Sequence, residues 1–145
     1  MTWHEQADAA QLTLTWADNS DNEDGFRIER KIGTGGTFGE IATVGANVIT
    51  YVDPGLGAAT TYCYRLLAYN TAGASPYSNE ACGTTPQEFA LTVVKAGTAS
   101  GTVTSAPAGI TCGTDCSEPY ASGTAVTLTA TPATGAVFGG WSGGG

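Results

Sequence analysis

The fold is decided by residues 61–70, which are Thr-Tyr-Cys-Tyr-Arg-Leu-Leu-Ala-Tyr-Asn. The even-numbered positions from Tyr62 to Ala68 carry Tyr, Tyr, Leu and Ala, and the odd-numbered positions from Cys63 to Tyr69 carry Cys, Arg, Leu and Tyr. Alternation with a period of two is typical of a β-strand that buries one face. The sequence therefore predicts a central strand with its even-numbered side chains in the core.

The residues before this strand predict a corner between two strands. We predict a strand over residues 48–52 that ends at the corner Asp53-Pro54-Gly55-Leu56. Leu56 stands six residues before Tyr62, in Leu-Gly-Ala-Ala-Thr-Thr-Tyr. This spacing lets the Tyr62 hydroxyl reach back to the upstream main chain, as in a tyrosine corner. Further upstream, Trp16 ends an alternating strand that also contains Leu12 and Leu14. We therefore predict structural roles for Trp16, Leu56 and Tyr62.

The composition favours an all-β protein with almost no helix. The chain has 145 residues, of which 21 are glycine, and 12% of its residues are charged. It contains no sustained apolar period of three to four residues, and short alternating runs are separated by Gly, Asn, Asp and Pro. The length allows one medium domain or two small ones.

The charge of the chain restricts its partners. The net charge is −8, with only five basic residues, so the potential has the wrong sign for a nucleic acid backbone. There is no run of 18 apolar residues, and the N-terminus has neither a basic start nor an apolar core. We expect no nucleic acid partner, no membrane insertion and no signal peptide, and we expect a monomeric fragment of a longer protein.

The four cysteines predict two disulfides. If residues 61–85 form a hairpin centred near Ala72 and Gly73, Cys63 lies opposite Cys82, and both side chains point away from the core. The sequence Cys-Gly-Thr-Asp-Cys allows a small ring that joins Cys112 to Cys116. A zinc site built from the two pairs is the alternative, although neither pair has the two-residue spacing of a zinc knuckle. Two disulfides predict an oxidising, secreted or cell-surface location.

Residues 1–86 resemble the bacterial branch of the fibronectin type III family. The resemblance rests on the segments Asn-Glu-Asp-Gly-Phe-Arg-Ile-Glu-Arg (22–30), Tyr-Val-Asp-Pro-Gly-Leu (51–56) and Ala-Tyr-Asn (68–70). It implies an immunoglobulin-like β-sandwich of seven strands, the first of them within residues 1–11. Such modules occur in extracellular enzymes and surface proteins.

A second module is predicted from residue 87 to residue 145, because Pro86 cannot donate to a strand ladder and its neighbours are polar. We predict four strands in it, starting at Phe89 and ending with residues 136–141. The cysteine ring, the Val126-x-Leu128-x-Ala130 alternation and the Gly140-Trp141 pair make residues 89–145 similar to bacterial surface repeats related to the internalin B-repeat. That resemblance implies a secreted, all-β, non-catalytic module. Because such repeats usually continue with closing strands, we expect this module to be incomplete and to expose an unpaired edge.

We predict no catalytic residue, no cofactor and no metal ligand. The chain has one histidine, His4, near the terminus and without a serine or free thiol placed to pair with it. Asp18, Asp21, Glu23 and Asp24 share one loop, whereas glycoside hydrolysis needs two carboxylates facing each other across a cleft.

The same loop leaves calcium binding open as an alternative. It is rich in oxygen ligands, but it fails the EF-hand pattern because Lys31 stands where the terminal carboxylate belongs.

These features favour a non-catalytic extracellular spacer or protein-interaction module from a larger secreted or cell-surface bacterial protein. The alternative is a carbohydrate-binding accessory module of a secreted polysaccharide-degrading enzyme, in which Trp3, Tyr69 and Tyr77 could stack on sugars. The expected partner is accordingly an unidentified protein or polysaccharide at the cell surface.

Overall fold

The computed structural model describes residues 10–143, and every regular element in this range is a β-strand. The predicted all-β class is therefore confirmed. The chain divides into two compact units, of which unit 1 ends at Gln87 and unit 2 begins at Glu88. In the part of the chain that is described, no helix is long and apolar enough to cross a membrane.

Unit 1 contains two antiparallel sheets. In its described residues the strands are β1 (Ala10–Thr15), β2 (Gly25–Ile32), β3 (Gly39–Gly45), β4 (Thr50–Leu56), β5 (Thr61–Asn70), β6 (Gly73–Ala74) and β7 (Ala81–Thr84). One sheet pairs β1 with β4, and the other has the order β3-β2-β5, with β6 and β7 both paired to β5. The predicted first strand in residues 1–11 lies outside the described residues except for Ala10 and Gln11, which begin β1.

The core of unit 1 lies between these two sheets. β5 is the central strand, because it pairs with β2 on one side and with β6 and β7 on the other. Its even-numbered residues Tyr62 and Tyr64 are buried, and Leu66 packs against them. They meet Leu12 and Leu14 from the other sheet. The two sheets therefore form a β-sandwich around one apolar layer.

The predicted corner at residues 53–56 belongs to a strand. β4 continues through Pro54 and Gly55 to Leu56, so the prediction that the strand ends at residue 52 is wrong. The register with β1 shifts between Ala10 and Leu12, opposite this segment, and Gly55 has φ 71°. A bulge tolerates a proline without an N–H and a glycine with positive φ, which explains how the strand continues.

Unit 2 contains two smaller antiparallel sheets. In its described residues the strands are β8 (Glu88–Thr92), β9 (Gly101–Ala106), β10 (Thr111–Cys112), β11 (Ser117–Ala121) and β12 (Thr127–Pro132). The sheets have the orders β10-β9-β12 and β11-β8. The buried residues of unit 2 form a separate core: Val93, Val103, Ile110, Cys112 and Tyr120.

The strand predicted at residues 136–141 does not form. Residues 133–143 contain no strand, and Gly135 and Gly140 have φ values of 82° and 122°. Positive φ values break an extended backbone, and only glycine adopts them without cost. The short strands β10 and β11, which the sequence patterning did not predict, provide pairing on either side of the Cys112–Cys116 ring instead.

Candidate functional site

Charged and aromatic side chains form a cluster on the outer face of the β3-β2-β5 sheet. The register places Glu29 of β2 beside Arg65 of β5. Arg65 donates from Nε to Glu29 Oε2 at 2.8 Å, and its Nη2 lies 2.6 Å from the same oxygen. Its guanidinium lies 3.7 Å from the ring centroid of Tyr77 and 4.1 Å from that of Phe38. Arg65 is therefore held by one ion pair and two cation–π contacts.

Glu29 is the anionic centre of this outer-face cluster. The Tyr77 hydroxyl donates to Glu29 Oε1 at 2.8 Å, so both carboxylate oxygens are occupied. Partial desolvation opposes ionisation, but the hydrogen bonds from Tyr77 and Arg65 outweigh it and lower the pKa of Glu29. The hydrogen bond to Glu29 in turn raises the pKa of Tyr77.

The Cys63–Cys82 disulfide lies under the same cluster. Lys31 is in register with Cys63, which is in register with Cys82. The Lys31 side chain crosses this row, and its amine lies 2.9 Å from Glu80 Oε2. Cys63 lies on the outer face of β5, the face that carries Arg65, and it is fully buried there, whereas Cys82 is exposed.

The cysteines of the described chain are paired within each unit. Cys63 is bonded to Cys82 and Cys112 to Cys116, and no cysteine is free. Within residues 10–143, Cys63, Glu80 and Cys82 are the only three possible metal ligands that meet. Their two sulfurs are bonded to each other, so they offer no thiolate to a metal ion.

A buried polar network on the inner face was not predicted from the sequence. Asp53 of β4 is buried, and its Oδ2 accepts from Arg30 Nη1 and from the Tyr64 hydroxyl, both at 2.8 Å. Burial, followed by this hydrogen bond, raises the pKa of Tyr64. The Arg30–Asp53 ion pair joins the two sheets. The alternation of β2 places Arg30 on the core side, and this is the one feature of the sequence that indicates the buried network.

The residues predicted as structural lie at the core of unit 1 or at its edge. The Tyr62 hydroxyl accepts a hydrogen bond from Gly57 N at 2.9 Å, directly after the buried Leu56. Trp16 packs edge to face against Phe26, with ring centroids 5.7 Å apart. Its Nε1 is buried and has no hydrogen-bond partner within the described range.

Two of the four carboxylates in the acidic loop accept hydrogen bonds from main-chain amides. Asp18 Oδ1 accepts from Ser20 N at 3.0 Å, and Glu23 Oε1 accepts from Asn47 N at 3.2 Å. Hydrogen bonds from its own main-chain amide and from Ser20 lower the pKa of Glu23. No three carboxylates of residues 18–24 meet at one point in the described structure. The loop therefore has the geometry of capped turns.

Two of the aromatic residues proposed for sugar stacking, Tyr69 and Tyr77, each have an arginine guanidinium over the ring. The guanidinium of Arg27 lies 5.0 Å from the ring centroid of Tyr69, and that of Arg65 covers one face of Tyr77. Trp3 and His4 lie outside the described residues. In unit 2, Phe138 and Trp141 are exposed, and their rings pack edge to face with centroids 5.0 Å apart, a pair that was not predicted as a sugar-binding surface.

A groove of about 500 Å³ runs along β1 in unit 1. Its floor contains Leu12, Leu14, Tyr64 and Leu66, and its far wall comes from residues 78–83. Among residues 10–143, Arg65 is the only charged residue in its lining. The described part of the lining is otherwise uncharged.

Part of the chain matches a known family. Residues 91–145, less than half of the chain, match the divergent InlB B-repeat domain. This match confirms the resemblance inferred from the sequence for the second module.

The similar proteins include two amylopullulanases. That of Thermoanaerobacterium saccharolyticum is 38% identical over 61 residues, which cover 42% of this chain and 5% of the relative. That of Thermoanaerobacterium thermosulfurigenes is 34% identical over 61 residues, which cover 42% of this chain and 3% of the relative. The chain thus spans a small part of the length of these relatives.

Among solved structures, the chain is similar to the twitchin kinase region from C. elegans. The sequence identity is 22%, the TM-score is 0.44, and the match covers 53% of this chain and 14% of the other.

Proposed function

We propose that this chain is a non-catalytic spacer and protein-interaction region of a larger extracellular bacterial protein. The relatives carry the proposal, because the 61 residues shared with an amylopullulanase are only 5% of that protein. A segment of that size in a long enzyme is expected to be an accessory module.

We also infer that unit 1 is a fibronectin type III module. Its strand order and the Tyr62 hydrogen bond that closes the turn before β5 support this inference.

The charged side chains of unit 1 are paired with one another, which supports a structural role for this unit. Arg30, Lys31 and Arg65 are each paired with a carboxylate at 2.9 Å or less. A general acid or base must be able to reach a substrate, whereas these groups are bound to one another. The two disulfides support an extracellular location, because such bonds persist in oxidising compartments.

A hydrolysis assay tests the non-catalytic role. The purified chain is incubated with soluble starch and with pullulan, and reducing ends are measured against a buffer control. We expect no release above the control. Release that scales with protein concentration and is abolished by Asp53→Asn or Glu29→Gln would show that the chain is an enzyme.

A carbohydrate-binding accessory role is the second candidate, favoured by the polysaccharide-degrading relatives. Electrophoresis through gels with and without amylopectin or pullulan separates it from the spacer role. A spacer migrates equally in all gels. A carbohydrate-binding module is retarded by one polysaccharide, and Tyr77→Ala would reduce the retardation if the exposed face of that ring stacks on sugar.

A further inference from the structure

The Cys63–Cys82 bond has a carboxylate beside it. Cys63 of β5 lies directly opposite Cys82 of β7, and directly opposed residues of antiparallel strands project their side chains from the same face. Glu80 comes just before β7, and its Oε1 lies 3.5 Å from Cys82 Sγ. Both sulfurs and a carboxylate oxygen of Glu80 lie within 4.8 Å of one another. The fold thus gathers two sulfurs and one oxygen at one point.

The pairing of β5 with β7 holds these groups together independently of the S–S bond. All four residues of β7 pair with β5, and Cys63 and Cys82 are one of the two inner pairs. At one end of this ladder the hydroxyls of Thr61 and Thr84 also share a hydrogen bond of 2.8 Å. Because these bonds do not involve the sulfurs, reduction leaves the two thiols opposite each other.

Lys31 places a positive charge beside the same three groups. Its amine lies 2.9 Å from Glu80 Oε2 and donates to Thr34 O at 2.8 Å, and its side chain is only 9% exposed. A divalent ion bound by two thiolates and one carboxylate carries one net negative charge, which the Lys31 ammonium balances. A nearby cation also favours the thiolate form that a metal ion requires.

Two thiolates and one carboxylate are ligand types that Zn²⁺ prefers, whereas Ca²⁺ and Mg²⁺ prefer sites made of oxygen alone. Zinc binds sulfur at about 2.3 Å, so two sulfurs on one ion are about 4 Å apart. The sulfurs must therefore separate after reduction. Cys82 and Glu80 are exposed, so their side chains have room to move and water can reach a fourth coordination position.

We propose that the reduced chain binds one Zn²⁺ ion through Cys63, Cys82 and Glu80, with water as the fourth ligand. A small-molecule thiol attacks at the exposed Cys82 and transfers two electrons to the S–S bond. The reductant leaves as its own disulfide, and the chain gains two thiols. Zn²⁺ then displaces one proton from each thiol. The sequence analysis did not predict this site, because it depends on Glu80 lying within reach of both sulfurs.

The test compares zinc binding by the reduced and the oxidised full chain. The chain is reduced with dithiothreitol, freed of it by gel filtration under nitrogen, and titrated with Zn²⁺ by calorimetry. Titration with Co²⁺ in place of Zn²⁺ reports thiolate ligands through their absorption band in the near ultraviolet. We expect the reduced chain to bind Zn²⁺ at least a hundredfold more tightly than the oxidised chain. Equal affinities of the two forms would refute the proposal.

A double variant locates the ion, because reduction also opens the second disulfide. Cys63→Ser with Cys82→Ser keeps Cys112 and Cys116, and within residues 10–143 no third ligand atom meets that pair. We expect the reduced double variant to lose the tight site and its cobalt–thiolate band. Binding as tight as that of reduced wild type would place the ion in unit 2, and the proposal would fall.

A matched pair of single variants tests the oxygen ligand. Glu80→Gln and Asp21→Asn each remove one negative charge from an exposed acid, but only Glu80 lies near the sulfurs. Glu80→Gln should weaken zinc binding by the reduced chain at least tenfold, and Asp21→Asn should change it by less than twofold. Equal effects of the two variants would show that Glu80 is not a ligand.

The site also requires that β5 and β7 remain paired after reduction. Amide hydrogen exchange of Tyr64, which lies opposite Ala81 next to the cysteine pair, is measured in the reduced chain with and without Zn²⁺. We expect protection in both samples and slower exchange with the ion. Loss of protection in both would contradict the proposal, because the sheet would then not hold the ligands together. The non-catalytic role is tested separately by the hydrolysis assay.

Discussion

A single hydroxyl closes the turn that precedes β5. Tyr62 accepts the Gly57 amide at 2.9 Å while its ring packs in the core. Tyr62→Phe keeps the ring but leaves that amide without its partner, so we expect unit 1 to lose about 1–2 kcal/mol in unfolding free energy. Urea denaturation measures the change. Tyr51→Phe is the control, because the Tyr51 ring also contacts the core; an equal loss in both variants would mean that the hydroxyl of Tyr62 has no special role.

Glu29 should make the stability of unit 1 depend on acid pH. Its folded-state pKa is lowered from 4.5, so its stabilising effect is complete above that value and disappears as the pH falls through the lower folded value. We expect the unfolding free energy of wild type to exceed that of Glu29→Gln by about 1 kcal/mol at neutral pH, and the gap to close in acid as the pH falls through the lowered folded-state pKa. Denaturation at several pH values checks this.

The control for Glu29 is Asp21→Asn in the loop between β1 and β2. Asp21 is exposed, and within residues 10–143 its side chain makes no ion pair or hydrogen bond. Its variant should differ little from wild type in unfolding free energy at neutral pH. A gap for Glu29→Gln that stays constant from neutral to acid pH would show that the carboxylate charge contributes nothing.

Individual residues differ in how well the sequence predicts their surroundings. The burial of Tyr62 and Tyr64 follows from alternation, because the position of a residue in a strand fixes the face it occupies. The burial of Cys63 does not follow, because it depends on the Lys31 side chain reaching across β5 to Glu80. The same limit applies to Asp53, whose partners Arg30 and Tyr64 come from the opposite sheet.

Among the elements, the two disulfides should stabilise unequally. They close rings with sequence separations of 19 and 4 residues, and the chain-entropy relation gives about 3 and about 2 kcal/mol respectively. We expect Cys63→Ala with Cys82→Ala to destabilise unit 1 more than Cys112→Ala with Cys116→Ala destabilises unit 2. Denaturation of each double variant measures this, and peptide mapping without reductant verifies the remaining bond. A larger effect of the short ring would contradict the entropic explanation.

The acidic loop between β1 and β2 should not respond to calcium. Asp18 and Glu23 each accept a hydrogen bond from a main-chain amide, and no three carboxylates of residues 18–24 meet at one point in the described structure. A ligand at one hundred times its Kd stabilises by about 2.7 kcal/mol, which in a domain of this size raises Tm by about 10 °C. We expect no such rise in millimolar calcium. A calcium-specific rise that Asp21→Ala abolishes, and magnesium does not reproduce, would refute this.

Elements that depend on local pattern were easier to predict than those that depend on turns. β2, β5 and β9 follow from alternating residues between glycine-rich or polar turns. The segment 136–141 has strand-like composition, but the backbone at Gly140 leaves the extended region. At Pro54 and Gly55 the reverse is found, because these residues are typical of turns but remain within β4. Whether such glycines end a strand depends on the pairing available, which a single sequence does not specify.

At the scale of the whole molecule, each unit has its own core. The buried cluster of unit 1 includes Ile28 and the cluster of unit 2 includes Ile110, and each draws only on residues of its own unit. Both side chains are almost completely inaccessible to solvent. Truncation of either isoleucine to alanine should therefore cost about 2–5 kcal/mol, through lost burial and the cavity left behind.

The two truncations should act on different halves of the chain, because substitutions in cores that share no partner are additive. In amide hydrogen exchange, Ile28→Ala should lower the protection of Tyr64 and leave that of Val103 unchanged, and Ile110→Ala should do the reverse. The double variant should show the sum of the two losses. If Ile28→Ala also lowered the protection of Val103 by a comparable free energy, the two cores would unfold as one cooperative unit. Units 1 and 2 would then not be independent in stability.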